Sequence, residues 1–115
     1  MSEIKNLTEK LLEFRRERDW EQFHNPKDMA LSLTLEATEV LEHFQWKNGV
    51  VLDEYVKTHA EHLGEELADV LGWVLLLSHD LGIDINKAMQ DKIIKNGLKY
   101  PVDKAKGRAD KYTSY

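Results

Sequence analysis

The sequence predicts an all-α fold, an antiparallel four-helix bundle-like arrangement, and three observations carry that prediction. Apolar residues recur at intervals of three and four along most of the chain of 115 residues. No run alternates with the period of two that a half-buried strand needs. Each periodic segment is bounded by residues that start or stop helices. The length suits one domain spanning 1–115, large enough to bury a core without staples.

The first helix is expected from about Ile4 to Asp19, with Leu7, Leu11 and Phe14 on one stripe. Trp20 to His24 interrupts it. Asn25 then supplies a cap and Pro26 a first-turn proline for the second helix, which reaches about Lys47 and stops at Asn48 and Gly49. Asp53 is expected to cap the third helix, running unbroken through Leu81 to Gly82. Asp84 caps the fourth, with Ile85, Met89 and Ile93 as its inner stripe and Asn96-Gly97 as its close. Tyr100-Pro101 prevents continuation, and the tail 101–115 reads as irregular. Short connections make neighbouring helices antiparallel.

Composition narrows the chemistry. There is no cysteine, which excludes disulfides, thiolate metal sites and a cysteine nucleophile, so any metal is held by oxygen or imidazole. The most apolar stretch, Val70 to Leu77, is too short to span a bilayer, and Met1 to Glu13 is too charged for a signal peptide, so no membrane partner and a cytoplasmic location are expected. A net charge of -5 opposes binding to a nucleic acid polymer. The charge is unevenly placed. Asp28 to Trp46 and Thr58 to Asn86 contain no lysine or arginine, while eight of the sixteen basic residues fall between Lys87 and Lys111. An acidic middle and a basic end suit a metal site beside an anion site.

The acids are patterned. Glu36-Ala-Thr-Glu39-Val40-Leu41 and Glu66-Leu-Ala-Asp69-Val70-Leu71 are near copies, a weak internal repeat. With Leu33 as origin on one helix and Leu63 on the other, both pairs fall about 60° and about 120° to the same side of the apolar stripe. Charged residues on helices are usually solvated, and a lone Glu-x-x-Glu would be read so. Here, however, none of the four has a lysine or arginine three or four positions away to pair with. Four converging carboxylates would repel one another at a cost of several kcal/mol each without a counter-charge, which favours an imported hard cation, Mg²⁺ or its substitute Mn²⁺. Iron fits less well, since the chain has only Glu21-x-x-His24 where di-iron bundles use two such helices.

On the fourth helix Lys92 and Asn96 fall within about 60° of the inner stripe, where a lysine either snorkels to water or neutralises phosphate oxygens. Trp20, Trp46 and Trp73 are core candidates that also offer stacking surface for a nucleobase. His24 could bond a base edge or simply cap a helix.

These motifs, together with Arg18-Asp-Trp-Glu-Gln-Phe-His24, Phe44-Gln-Trp-Lys47, Glu65-Glu-Leu-Ala-Asp-Val-Leu71, Tyr100-Pro-Val102 and Lys111-Tyr-Thr113, resemble the MazG-like nucleotide pyrophosphohydrolases over nearly the whole chain, and within them the dCTP pyrophosphatase branch. The resemblance implies a Mg²⁺-dependent enzyme that cuts a nucleoside triphosphate into monophosphate and pyrophosphate, built as a homotetramer, a dimer of dimers. It implies metal ligands at Glu36, Glu39, Glu66 and Asp69, with Glu36 or Glu39 as general base. It also implies a nucleoside pocket from Trp20, Glu21, Gln22, Phe23, His24, Trp46 and Trp73, and phosphate contacts from Lys92 and Asn96. Trp73 stands where animal members of the branch carry tyrosine, and Leu11 where they carry a pocket histidine. Two other readings remain: a related enzyme acting on a different nucleotide, and a non-catalytic helical interaction module.

Overall fold

A computed structural model describes residues 2–115, which form two compact units, 2–82 and 83–115. Every regular element among the described residues is helical, as the periodicity predicts. The first unit holds α1 (Glu3–Glu17), α2 (Pro26–Phe44), α3 (Gly49–Thr58) and α4 (Ala60–Asp80), with a 3-10 turn at Glu21–Phe23. The second holds α5 (Ile85–Lys99), the short α6 (Val102–Ala105) and a 3-10 turn at Tyr112–Ser114.

Helix starts follow local chemistry. The side chains of Ser2, Asn25 and Asp84 accept from the backbone N–H groups of Lys5, Asp28 and Lys87, which satisfies donors that have no partner within the helix. Pro26 occupies the first turn of α2, where its missing N–H costs nothing.

In the first unit α4 is the central element, packed most extensively by α2 and then by α1. Partners run in opposite order on α2 and α4: Glu36 lies beside Asp69, while His43 lies beside Glu66 and His62, so the two helices are antiparallel. Arg15 pairs with Asp80 and Leu11 lies against Gly72, so α1 runs parallel to α4. Met29, Leu63, Leu75 and Leu76 are buried, Met29 almost completely at 1% exposure. Truncating Met29 to alanine leaves a cavity that costs about 2–5 kcal/mol, an effect readable as a lower urea midpoint with an unchanged slope.

The structure corrects several expectations. The third helix is not continuous from Asp53. Asp53 lies inside α3, and His59 alone separates α3 from α4. The Thr58 hydroxyl donates to the carbonyls of Glu54 and Tyr55, the backbone N–H of His59 also donates to the Tyr55 carbonyl, and the chain leaves helical geometry at His59, with φ -117 and ψ 18. α2 ends at Phe44, before Lys47, and Trp46 adopts a left-handed backbone at φ 68 that stops the helix. α5 passes through Gly97 to Lys99, since a stop signal is a preference that a helix can override. The tail is not wholly irregular: Tyr100 meets Tyr112 and Tyr115 edge-on, which organises the chain after Pro101.

Two apolar stripes also differ. On α4, Leu67, one turn after the buried Leu63, is exposed, whereas the adjacent Leu75 and Leu76 are both buried. Neighbours in sequence sit about 100° apart on a helix, so α4 is covered over a wide arc instead of along one seam. On α5, Met89 and Ile93 are 52% and 60% exposed, and Lys92 and Asn96 are exposed with them. The second unit contains too little chain to cover its own long helix.

Candidate active site

α2 and α4 carry the acidic repeat, and their antiparallel packing brings it together. Carboxylate oxygens of Glu36, Glu39 and Glu66 lie within 4.8 Å of one another. Glu36 sits half-buried on the packed face of α2, while Glu39, one helical turn on, is exposed at its border. Asp69 is outside this tight group. It follows Glu66 by one turn and, with Glu36, lines an adjoining cavity.

The electrostatics are those of crowded like charges. Burial, then hydrogen bonding with Glu39, then the charges of Glu39, Asp69 and Glu66 push the Glu36 carboxyl above its ordinary range. Glu36 Oε2 is buried with no hydrogen-bond partner. A desolvated oxygen without a donor, faced by further carboxylates, is costly on its own and suits a hard divalent cation. The donor set therefore fits the metal that the sequence leads one to expect.

The adjoining cavity encloses about 310 Å³ between α1, α2, α4 and the turn after α1. Trp20, His24 and Trp73 line it, with Phe14 and Leu76. Trp20 meets Phe14 edge-on with ring centroids 5.9 Å apart, and Trp73 meets His24 at 5.2 Å. The volume lies at the small end of the range for ligand pockets, and one end of the cavity is acidic.

The orientation of His24 is set from below. Arg15 Nη1 donates to His24 Nδ1 over 3.3 Å, so the ring hydrogen resides on Nε2. Burial and then the Arg15 charge push the His24 pKa down, against a smaller opposing effect of Asp80. Both downward effects favour the neutral imidazole, with its hydrogen on Nε2. Arg15 is itself buried and held by Asp80 through two bonds of 2.9 Å each.

Of the residues singled out from the sequence, Glu36, Asp69, Trp20, His24 and Trp73 surround this cavity, and Glu39 and Glu66 adjoin it through Glu36. Glu21, Gln22 and Phe23 form the 3-10 turn and do not line the cavity; Gln22 donates instead to Asp19, and Phe23 is 65% exposed. Trp46 is 90% exposed at the end of α2, away from the cavity lining. Lys92 and Asn96 lie on α5 in the second unit.

Sequence reasoning missed two groups. Arg15 and Asp80 stand 65 positions apart, and no local signal joins them. His43 and His62 lie 3.7 Å and 3.6 Å from Glu66 Oε1. The sequence carries their signal: His43 follows Glu39 by four residues and His62 precedes Glu66 by four, the helical spacing at which side chains meet.

An all-helical chain that gathers carboxylates from two antiparallel helices beside a small aromatic cavity is the class of protein this geometry defines. The model of the MazG-like family matches residues 31–114. The chain is 40% identical over 103 residues to dCTP pyrophosphatase 1 of Rattus norvegicus, a match covering 88% of this chain and 61% of the relative. Identity to dCTP pyrophosphatase 1 of Homo sapiens is 38% over 103 residues, with the same shares of 88% and 61%. The chain thus spans 61% of the length of the curated relatives it matches. The crystal structure of a pyrophosphatase from Archaeoglobus fulgidus matches with a TM-score of 0.82 at 35% identity, covering 88% of this chain and 94% of that one. The chain belongs to the MazG-like family.

Proposed function

We propose that the protein is a Mg²⁺-dependent nucleoside triphosphate pyrophosphohydrolase, converting a deoxynucleoside triphosphate and water into the monophosphate and pyrophosphate, with dCTP or a modified dCTP as the preferred substrate. Its role would be to clear unwanted nucleotides from the cytoplasmic pool. The observation that carries the reading is the placement of Glu36: its orphaned oxygen belongs to a carboxylate cluster on one side, and its side chain lines an aromatic cavity on the other. Relatives named dCTP pyrophosphatase support the substrate class.

Glu36, Glu39, Glu66 and Asp69 would hold the metal, with Mn²⁺ as a substitute. A divalent ion held there would supply charge neutralisation for the triphosphate and would lower the pKa of a bound water. Glu36 or Glu39 accepts the proton from that water, a carboxylate within reach being the required geometry. Trp73 and Trp20 present ring surface to the base, and the His24 Nε2–H donates to an acceptor on its edge. Lys92 and Asn96 are assigned to the phosphates, and the tetramer to the assembly, on the family resemblance.

Released pyrophosphate, measured across the common and modified dNTPs with and without EDTA, tests the reading. The expected result is monophosphate and pyrophosphate in equal amounts, abolished by EDTA. Trp73→Ala should raise KM about tenfold, the loss of one stacking contact worth about 1.4 kcal/mol, with a smaller change in kcat. Orthophosphate as the product, or turnover indifferent to EDTA, would overturn it. A helical interaction module without catalysis would give no turnover and no rise in Tm on adding Mg²⁺.

A further inference from the structure

We propose that His43, His62 and Glu66 form a second divalent-cation site, sharing Glu66 with the carboxylate cluster but completed by two imidazoles, that takes a zinc-class transition metal in preference to Mg²⁺. His43 Nε2 and His62 Nε2 approach the same atom, Glu66 Oε1, at 3.7 Å and 3.6 Å. One ligand atom from each residue lies within 4.8 Å of the other two. These separations are too long for hydrogen bonds. They are close to the spacing of two donors on one tetrahedral ion, about 3.4 Å for bonds of about 2.1 Å.

The rings are positioned for this. His43 Nδ1 lies 2.5 Å from the Tyr55 hydroxyl. With Nδ1–H donated to the phenol oxygen, the Nε2 lone pair points toward Glu66, the outer-layer support that metal-bound imidazoles commonly receive. The side chains of His43 and Glu66 are 10% and 16% exposed, so two of the three ligands are held rigidly. His62 and Glu66 sit four residues apart on α4 and therefore share a face. The His43 and His62 rings stand edge-on with centroids 4.9 Å apart.

The three groups open onto a cavity of about 450 Å³, lined also by Glu39, Glu42 and Tyr55. It leaves room for an ion to keep water at its remaining positions. Two imidazoles and one carboxylate favour Zn²⁺, Co²⁺ or Ni²⁺, whereas Mg²⁺ prefers oxygen donors throughout. The site shares Glu66 with the cluster assigned above to the hydrolytic metal, but it rests on the histidines and does not require the proposed activity.

The test is a Co²⁺ titration of the chelator-stripped full chain in excess Mg²⁺, which fills the oxygen site. Bound Co²⁺ is read by its visible absorption and by equilibrium dialysis. One Mg²⁺-resistant Co²⁺ per chain is expected. Its affinity should fall at least tenfold in His62→Ala and in His43→Gln, and about tenfold in Tyr55→Phe. The His62 side chain is 59% exposed, so its truncation leaves packing intact. Absence of Mg²⁺-resistant Co²⁺ from the unmodified chain, or its undiminished retention in His62→Ala, overturns the proposal. Pyrophosphate release is scored separately with Mg²⁺ alone: its absence there, with Mg²⁺-resistant Co²⁺ still bound in the titration, would refute the proposed activity and leave this site standing.

Discussion

Replacing Glu36 with glutamine should abolish turnover and, at the same time, raise the melting temperature of the metal-free protein at neutral pH. The exchange keeps volume and shape while removing one charge from the middle of the cluster. Burial and the neighbouring acids hold the folded Glu36 carboxyl above its unfolded value. Between those two values the folded chain binds more protons than the unfolded one, so stability falls as pH rises through that window. Above the window the ionised Glu36 is a standing cost to the fold, borne for the sake of a ligand.

Glutamine removes the cost and offers an amide N–H₂ to the remaining carboxylates. It cannot hold a divalent ion as tightly, nor accept a proton. Turnover with Mg²⁺ should fall at least about a hundredfold, the scale on which single general-base contributions are measured. Thermal melts in EDTA at acidic and neutral pH, beside pyrophosphate release, decide the matter. A variant that melts below the parent in EDTA at neutral pH would show that the cluster is not strained.

The second large effect is expected at Arg15 and Asp80. Asp80 is the last residue of α4, where an acid meets the negative end of the helix dipole. The pair with Arg15 offsets this and ties α1 to α4 through two bonds of 2.9 Å. The Arg15 side chain is only 7% exposed. Asp80→Ala would strand that guanidinium without a counter-charge, a change that typically costs about 3–5 kcal/mol. For a chain of this size the loss lowers Tm by more than about 10 °C.

Replacing both partners with apolar residues of similar volume, Arg15→Met with Asp80→Leu, should recover most of the loss, because no charge is then left buried. The pH dependence follows from the Asp80 carboxyl, which the Arg15 hydrogen bond holds below its ordinary range. The stabilisation is complete above the ordinary carboxylate range and is lost as pH falls through the depressed value. Urea midpoints of the parent and Asp80→Ala, well separated at neutral pH, should approach one another as pH falls below the ordinary carboxylate range of about 4, while the double variant should show little of this pH dependence. Equal midpoints for Asp80→Ala and the parent at neutral pH would remove the pair from any structural role.

Much of the architecture is legible in the sequence alone. Asn25 with Pro26 and Asp84 mark helix starts because a cap is a bond between a side chain and an amide three residues away. The acidic repeat was legible for a similar reason: three-residue spacing on a helix places Glu36 with Glu39, and Glu66 with Asp69, whatever surrounds them. The junction at His59 was not legible, since the sequence between Gly49 and Asp80 carries no proline and its apolar rhythm runs on across the break. Nor was the exposure of Met89 and Ile93 on α5, because an amphipathic stripe announces that a face wants covering without saying whether its own unit contains the cover.

What this sequence determined by itself is therefore short-ranged: helical content, most helix starts, and two pairs of acids, each pair on one helical face. Only the tertiary structure decided which acids converge, that Glu36 keeps an oxygen without a donor while Glu39 remains exposed, that Arg15 reaches Asp80 and orients His24, and that His43 and His62 meet at Glu66. The division has a physical origin. Caps and facial spacing follow from bonds and angles within one turn of helix, whereas convergence depends on the register between α2 and α4, which is set by the packing of Met29, Leu63, Leu75 and Leu76 across the whole unit.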